Sequence, residues 1–414
     1  MKTAVAAGVV LFAVAGLVGP AAAAPGDLDP GLGGDGVVVD DGTPVVDGEG
    51  LDVAVQDDGK IVVVGEGFGG YLVARYTSAG ALDPTFSDNG WVKVAFPRAE
   101  WARASSVDLD ATGRIVVGGR TARGIGVARL WPGGHLDGTF GAGGRALLPN
   151  TGLGRITDLV VDPQDRVVFG GWRLTGRFEP DGTEMLIGRL TTDGDLDPAF
   201  HGGRIVVLDP PQDSSLEAIG LLPDGRIVGV GSVFVRNGSL LTAVRLWPGG
   251  AREHTFGRNG IARIELGRGF ETAQGLAVLP GGGLAVTGWS PDGRRLLLAR
   301  LTAAGRRDTT FAGDGVVTQD LGRGDEVGVD VVVDDAGRLV VVGDMRGGGD
   351  QRAVVLRYTP TGELDPTFGG NGWTPVNPTT DVDAAEAMAL TPEGDVVVAI
   401  SSSDDIVLAR LLAG

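Results

Sequence analysis

The sequence predicts an all-β fold, a seven-bladed β-propeller of four-stranded blades closed by pairing of an N-terminal strand with the C-terminal blade. Three observations carry this: one phrase returns seven times, each unit divides into four short strands, and glycine is abundant while aromatic residues are few. The phrase reads Val-Ala-Arg-Leu or similar, a glycine turn, then Leu-Asp-x-Thr-Phe-Gly. Its arginines are Arg75, Arg129, Arg189, Arg245, Arg300, Arg357 and Arg410, and its acids Asp29, Asp83, Asp137, Asp197, Glu253, Asp308 and Asp365. Successive acids are 54 to 60 residues apart, which suits one propeller blade and exceeds what a helical-pair repeat needs. Glycine at 73 of 414 residues, with 43% hydrophobic residues, is too apolar for disorder and too glycine-rich for helices.

The four strands follow in order within each unit. The first is a segment with one apolar face, such as Leu51 to Val55 or Leu276 to Val278, as a half-buried strand requires. A turn follows, Asp58-Gly59, Asp224-Gly225 or Glu393-Gly394, of the kind that supplies positive φ. The second is a continuous apolar run, Ile61 to Val64, Ile115 to Val117 or Leu339 to Val342, which implies burial on both faces. The third carries the arginine phrase. The fourth is the short segment after Phe-Gly, as at Gly315 to Thr318. The signature before Gly36 lacks the three strands that precede it elsewhere, and the chain ends where a fourth strand is due. Gly36 to Asp40 is therefore expected to be the outermost strand of a blade built from Ala385 to Leu412, which removes an open sheet edge.

Residues 1–23 read as a secretory leader: Lys2, an apolar run from Ala4 to Val18, Gly19-Pro20 and the small residues Ala21 to Ala24, with a cut expected after Ala23 because proline disfavours the position after a cut. The run is short for a membrane span of about 20 residues. Residues 24–414 are then one domain. A formal charge of -18 repels phosphate backbones and anionic headgroups, so nucleic acid is not an expected partner. The absence of cysteine removes disulfides, lipidation and thiolate chemistry.

The recurring units, and Leu364-Asp-Pro-Thr-Phe-Gly-Gly-Asn-Gly372 above all, resemble the delta-60 repeat, a bacterial propeller-like family, from about residue 27 to the C-terminus. The resemblance implies the fold and frequent export, and brings no catalytic residues with it. Leu32 in place of the first phenylalanine, Glu253 in place of aspartate, Asp165 in place of the turn glycine and Ile400 in place of a glycine depart from the pattern.

Comparison of the units with one another separates scaffold from variation. The first turn and the signature connection are nearly constant and share one end of the strands. The opposite end differs in every unit: hairpins Arg173 to Glu184, Ser232 to Leu240, Trp289 to Arg295 and Asp344 to Gln351, and inter-blade loops Pro97 to Arg103, Asp209 to Ser215 and Asn377 to Asp383. Variable loops on a rigid frame can form a binding surface; unneeded loops also drift. Trp172 and Trp289, expected just past the second strand, can stack on a sugar, anchor a peptide or cover the neighbouring blade. Asp52, Asp158 and Asp330 begin the inner strand in equivalent places, with Glu217 and Glu386 one residue earlier. Such carboxylates can form an acidic collar that holds a cation or acts as acid and base, or can be hydrogen-bonded strand ends.

The constant eight-residue gap from each arginine to its acid predicts an ion pair between third and fourth strands. Asp29 and Arg410 are left over as the seventh pair. Other signals fail. Asp193 to Asp197 begins like a calcium loop, but Pro198 stands where glycine is needed; Gly65 to Gly70 opens a strand rather than a helix; Gly288 to Asp292 lacks the second glycine of a nucleophile elbow. His135, His201 and His254 sit at different offsets in successive units. No metal and no cofactor are expected. The functional expectation is an exported or surface-held monomeric module presenting its variable face to a protein or glycan. The alternatives are a carbohydrate-active lyase or glycosidase at the acidic collar and a structural envelope component.

Overall fold

A computed structural model describes residues 23–40, 43, 52–67, 69–148, 151, 154–175, 182–208, 213–267, 269–322, 324–347, 350–379, 382–402 and 405–414. Among them the repeats become seven four-stranded antiparallel sheets. Blades 1 to 6 run from Asp52 to Val94, Ala102 to Leu148, Arg155 to Leu208, Ser214 to Ile264, Thr272 to Gln319 and Asp325 to Val376. In each, strand order follows the chain from the inner strand outward. Inner strands of successive blades touch all round, the last against the first, so the ring is closed.

The hydrophobic core is divided into seven slabs, one between each pair of neighbouring blades. This is why the second strand reads as an uninterrupted apolar run: Ile61 to Val64 are all buried, alternate residues facing opposite slabs. The signature phenylalanines Phe86, Phe140, Phe200, Phe256, Phe311 and Phe368 each fill one slab, and Leu32 fills the seventh. Asp165 adopts the φ of +58° that its turn needs, a conformation open to aspartate at modest cost.

Blade 7 takes three strands, Asp383–Leu390, Val396–Ser402 and Asp405–Leu411, from the C-terminus and its outer strand, Val37–Asp40, from the N-terminus. Val37 pairs with Ala409 and Asp40 with Ile406. The seam continues below the strand, where the Gly26 N–H donates to the Leu412 carbonyl (2.7 Å) and the Leu412 N–H to the Asp27 carbonyl (3.0 Å).

Arginine and acid meet in all seven units. The shortest separations are 2.9 Å for Arg75–Asp83, 2.8 Å for Arg129–Asp137, 2.7 Å for Arg189–Asp197, 2.6 Å for Arg245–Glu253, and 2.8 Å for both Arg300–Asp308 and Arg357–Asp365. Arg410–Asp29 is 2.6 Å. Each arginine also reaches the next blade, donating from Nη1 to the carbonyls of Pro132, Thr192, Pro248, Gly282, Pro360, Ala413 and Ser78 in ring order. In units 1 to 6 the guanidinium also lies over the signature phenylalanine, 4.4 to 5.2 Å from its centroid. In the buried pairs, such as Arg129–Asp137, removing one partner strands the other charge and costs about 3 to 5 kcal/mol.

The upper end of the ring carries the second-to-third strand hairpins and the inter-blade loops; the lower end carries the constant turns. Two expectations at the upper end need correction. Trp172 lies inside the strand Val167–Leu174 and Trp289 is the last residue of Leu284–Trp289, not beyond them. Likewise Ser232 to Val235 and Asp344 to Gly347 are ladder rather than loop, since the strands run on to Val235 and Gly347. The ladder there is still packed within the ring, Val233 and Met345 each belonging to an apolar slab. Of the variable segments, 176–181, 209–212, 348–349 and 380–381, like leader residues 1–22, lie outside the described residues.

Candidate functional site

The inner strands of blades 2 to 7 share a bulge, where the pairing register skips one residue: Ser105, Thr157, Glu217, Gln274, Val329 and Glu386. An extra residue on one strand pushes its backbone toward the partner. Facing it stand Gly119, Gly171, Gly231, Gly288 and Gly343, where a Cβ would lie 1.9 to 2.1 Å from a carbonyl oxygen of the inner strand. Steric room at the bulge therefore explains these glycines. Blade 7 holds Ile400 there instead.

Counting from the bulge, the residues that begin the lower half of the inner strands are Asp52, Ser106, Asp158, Ala218, Gly275, Asp330 and Ala387. The carboxylates act between blades. Asp52 accepts from the Val107 N–H of blade 2 (2.7 Å), Asp158 from the Ile219 N–H of blade 4 (2.7 Å) and Asp330 from the Met388 N–H of blade 7 (3.2 Å). Asp52 and Asp330 also cap the N–H of Val53 and Val331. In blade 2 the Ser106 hydroxyl takes this place, accepting from the Leu159 N–H and donating to Asp158 Oδ1, both at 3.0 Å. Two residues lower, Asp108 accepts from the Val161 N–H at 2.7 Å. An inner strand is a sheet edge with unpaired N–H groups, and these side chains satisfy them.

Burial pushes the Asp52 carboxyl up to about 7 and Asp158 up to about 8. It raises Asp330 and Asp108 to about 6. The charge of Asp330 adds to the shift of Asp52, and the charges of Asp52 and Asp330 add to that of Asp158. The three aspartates thus share one electrostatic neighbourhood, while Glu217 and Glu386, as bulge residues, stand one step above it. Glu386 accepts from the Ser401 hydroxyl at 2.8 Å. No group of three or more His, Cys, Asp or Glu suited to a metal ion occurs among the described residues.

Above the bulge, the second strands place Glu66, Arg120, Trp172, Ser232, Trp289, Asp344 and Ser401 at one equivalent level of the ring. Trp289 is covered by Arg346 of blade 6, 5.4 Å from its centroid. Asp344 is buried and accepts from the Ala385 N–H of blade 7 (2.8 Å). The half-buried Trp172 stands opposite Arg155, and Arg120 opposite Arg103. Trp101, Phe234 and Phe270 are exposed at this end. The lower end presents Trp131 and Trp247, lying under Arg114 and Arg226, and a cavity of about 980 Å³ lined by Asp57, Asp58, Lys60, Asp108 and Asp110 among others. Sequence reasoning missed Asp108 and the upper arginines, because their equivalence appears only once the bulge aligns the units.

A family model described as a domain of unknown function (DUF5122) beta-propeller matches residues 56–86, 111–140 and 337–368. Each stretch begins in the first turn and ends on a signature phenylalanine, spanning second and third strands and the arginine–acid pair. No curated protein matches the chain by sequence. Among solved structures, streptogramin B lyase superposes with a TM-score of 0.53 at 12% identity, covering 91% of this chain and 98% of that one. Virginiamycin B lyase from Staphylococcus aureus superposes equally, at 12% identity, with 91% and 99% covered. At this identity the likeness is one of fold.

Proposed function

We propose that this propeller, built from units we read as delta-60 repeats, is an exported binding module that presents its upper face to a protein or glycan. One observation carries the reading. At a single structural level, seven equivalent positions hold Glu66, Arg120, Trp172, Ser232, Trp289, Asp344 and Ser401, whereas the lower end repeats one ion pair seven times. A scaffold that repeats its fastenings and varies its other face is built to read something there. The leader-like residues 1–23 support export. A glycan and secretome binding array probed with the full chain tests the reading: a ligand is expected, and its capture is expected to fall when Arg173 to Glu184 is replaced by a short turn. Capture that survives that replacement but falls on mutation around Thr85 would place the binding face at the lower end instead.

A second reading, a lyase or glycosidase at the collar, is favoured by the raised proton affinity of Asp52, Asp158 and Asp330. Against it, each of these carboxylates is engaged by the backbone of a neighbouring blade.

A further inference from the structure

The upper ends of blades 2 and 3 carry three arginines outside the repeated fastenings. Arg103 and Arg120 stand directly opposite each other on paired strands, and Arg155 takes the place of Arg103 in the next blade. Like charges so placed repel. Arg120 lies over the Trp101 ring, 5.2 Å from its centroid, while its Nε is buried without a hydrogen bond. Arg103 Nε is 3.6 Å from Glu66. Arg155 is half-buried and, among the described residues, its guanidinium makes no hydrogen bond or salt bridge. Burial, then the charge of Arg103, lower its proton affinity; Glu217 and Glu386 act in the opposite sense from beyond ion-pair distance. A guanidinium half withdrawn from water with no protein acceptor gives up hydration that nothing replaces. The seven repeated arginines, each held by an acid and a carbonyl, show the contrast.

We propose that Arg103, Arg120 and Arg155 form a binding site for the carboxylate of a sugar acid, with the Trp172 ring as the platform for the sugar. The proposal rests on the upper face being the binding face. A planar carboxylate matches the paired N–H groups of a guanidinium and supplies the acceptor Arg155 lacks. Glu217 and Glu386 nearby, with a formal charge of -18 on the whole chain, favour one negative charge over a polyanion. Trp172 is the cross-strand neighbour of Arg155, and an indole face suits the apolar face of a pyranose.

The test is calorimetric titration of the full chain with D-galacturonate, D-galactose and sodium acetate, alongside Arg155→Met and Arg155→Lys. Galacturonate is expected to bind at least about tenfold more tightly than galactose or acetate, since one charged hydrogen-bonded contact is worth about that factor. Arg155→Met is expected to weaken galacturonate at least about tenfold yet raise the ligand-free melting temperature, because it removes an unsatisfied charge. Arg155→Lys is expected to retain part of the affinity, which keeps the test decisive should the methionine variant fold poorly. Absence of galacturonate binding, or binding undiminished in both variants, overturns the site; acetate binding as tight as galacturonate overturns the sugar-acid assignment. A macromolecular ligand lost with the Arg173 to Glu184 hairpin, with no galacturonate binding, would sink this inference alone and leave the binding-face reading standing.

Discussion

Asp158 joins three blades: its Oδ2 accepts from blade 4 and its Oδ1 from the Ser106 hydroxyl of blade 2. Asp158 is half-buried, and desolvation there raises the carboxyl to about 8, with Asp52 near 7 and Asp330 and Asp108 near 6. The unfolded chain ionises these groups near the ordinary aspartate value of about 3.9, while the folded chain keeps its protons until about pH 6 to 8. Between those limits the native state binds more protons, so stability falls as pH rises. The fastening acids behave oppositely. Burial pushes Asp137 up, but Thr139 and Arg129 together hold it below its ordinary value, so its contribution is lost only as pH falls below about 4. Urea unfolding midpoints are therefore expected to peak at mildly acid pH and decline toward about pH 8, with the decline shallower in Asp158→Asn. A flat profile between about pH 5 and 8 would show that the collar is solvated. The constant eight-residue spacing made the arginine–acid pairs legible in the sequence; the carbonyl of the next blade, 56 to 63 residues away for five of these arginines, left no mark in it.

The bulge of the inner strand is where sequence reading met its limit at the scale of the element. A glycine in six of seven units was visible, and so was its replacement by Ile400, but the cause is a carbonyl oxygen that no sequence pattern displays. Gly171→Ala places a methyl group 2.0 Å from the Arg155 carbonyl oxygen, and the expected cost is about 2 kcal/mol. Gly133→Ala, with no atom within 4 Å of the new methyl, is expected to be neutral within about 0.5 kcal/mol. Equal melting temperatures for the two variants would contradict the steric account. The four strands of each blade were readable because apolar period and turn residues report burial and φ directly. The extended hairpins at Ser232 and Asp344 were not, since hairpin length differs from blade to blade and no repeated residue marks where the strands end. Arg103, Arg120 and Arg155 escaped for a related reason: they become neighbours only through register and blade packing.

For the whole molecule the decisive feature is the seam in blade 7. The lone N-terminal strand was legible by counting, because the first signature arrives without the strands that precede the others. Val37–Asp40 covers the edge of Asp405–Leu411, Leu32 fills the last slab, and Asp29 receives Arg410. Deleting residues 24–41 removes all three contributions together, and the expected result is loss of cooperative thermal unfolding rather than a modest shift. A truncated chain that still melts cooperatively, within a few degrees of the intact one, would show that the open ring is self-sufficient. The seam also sets an orientation. It brings Gly26 beside Leu412 at the lower end, so anything covalently joined to either end of the domain leaves from the same side. A tether there, whatever its nature, would hold the propeller by its repetitive underside and turn the irregular side outward, like a dish antenna on its mast.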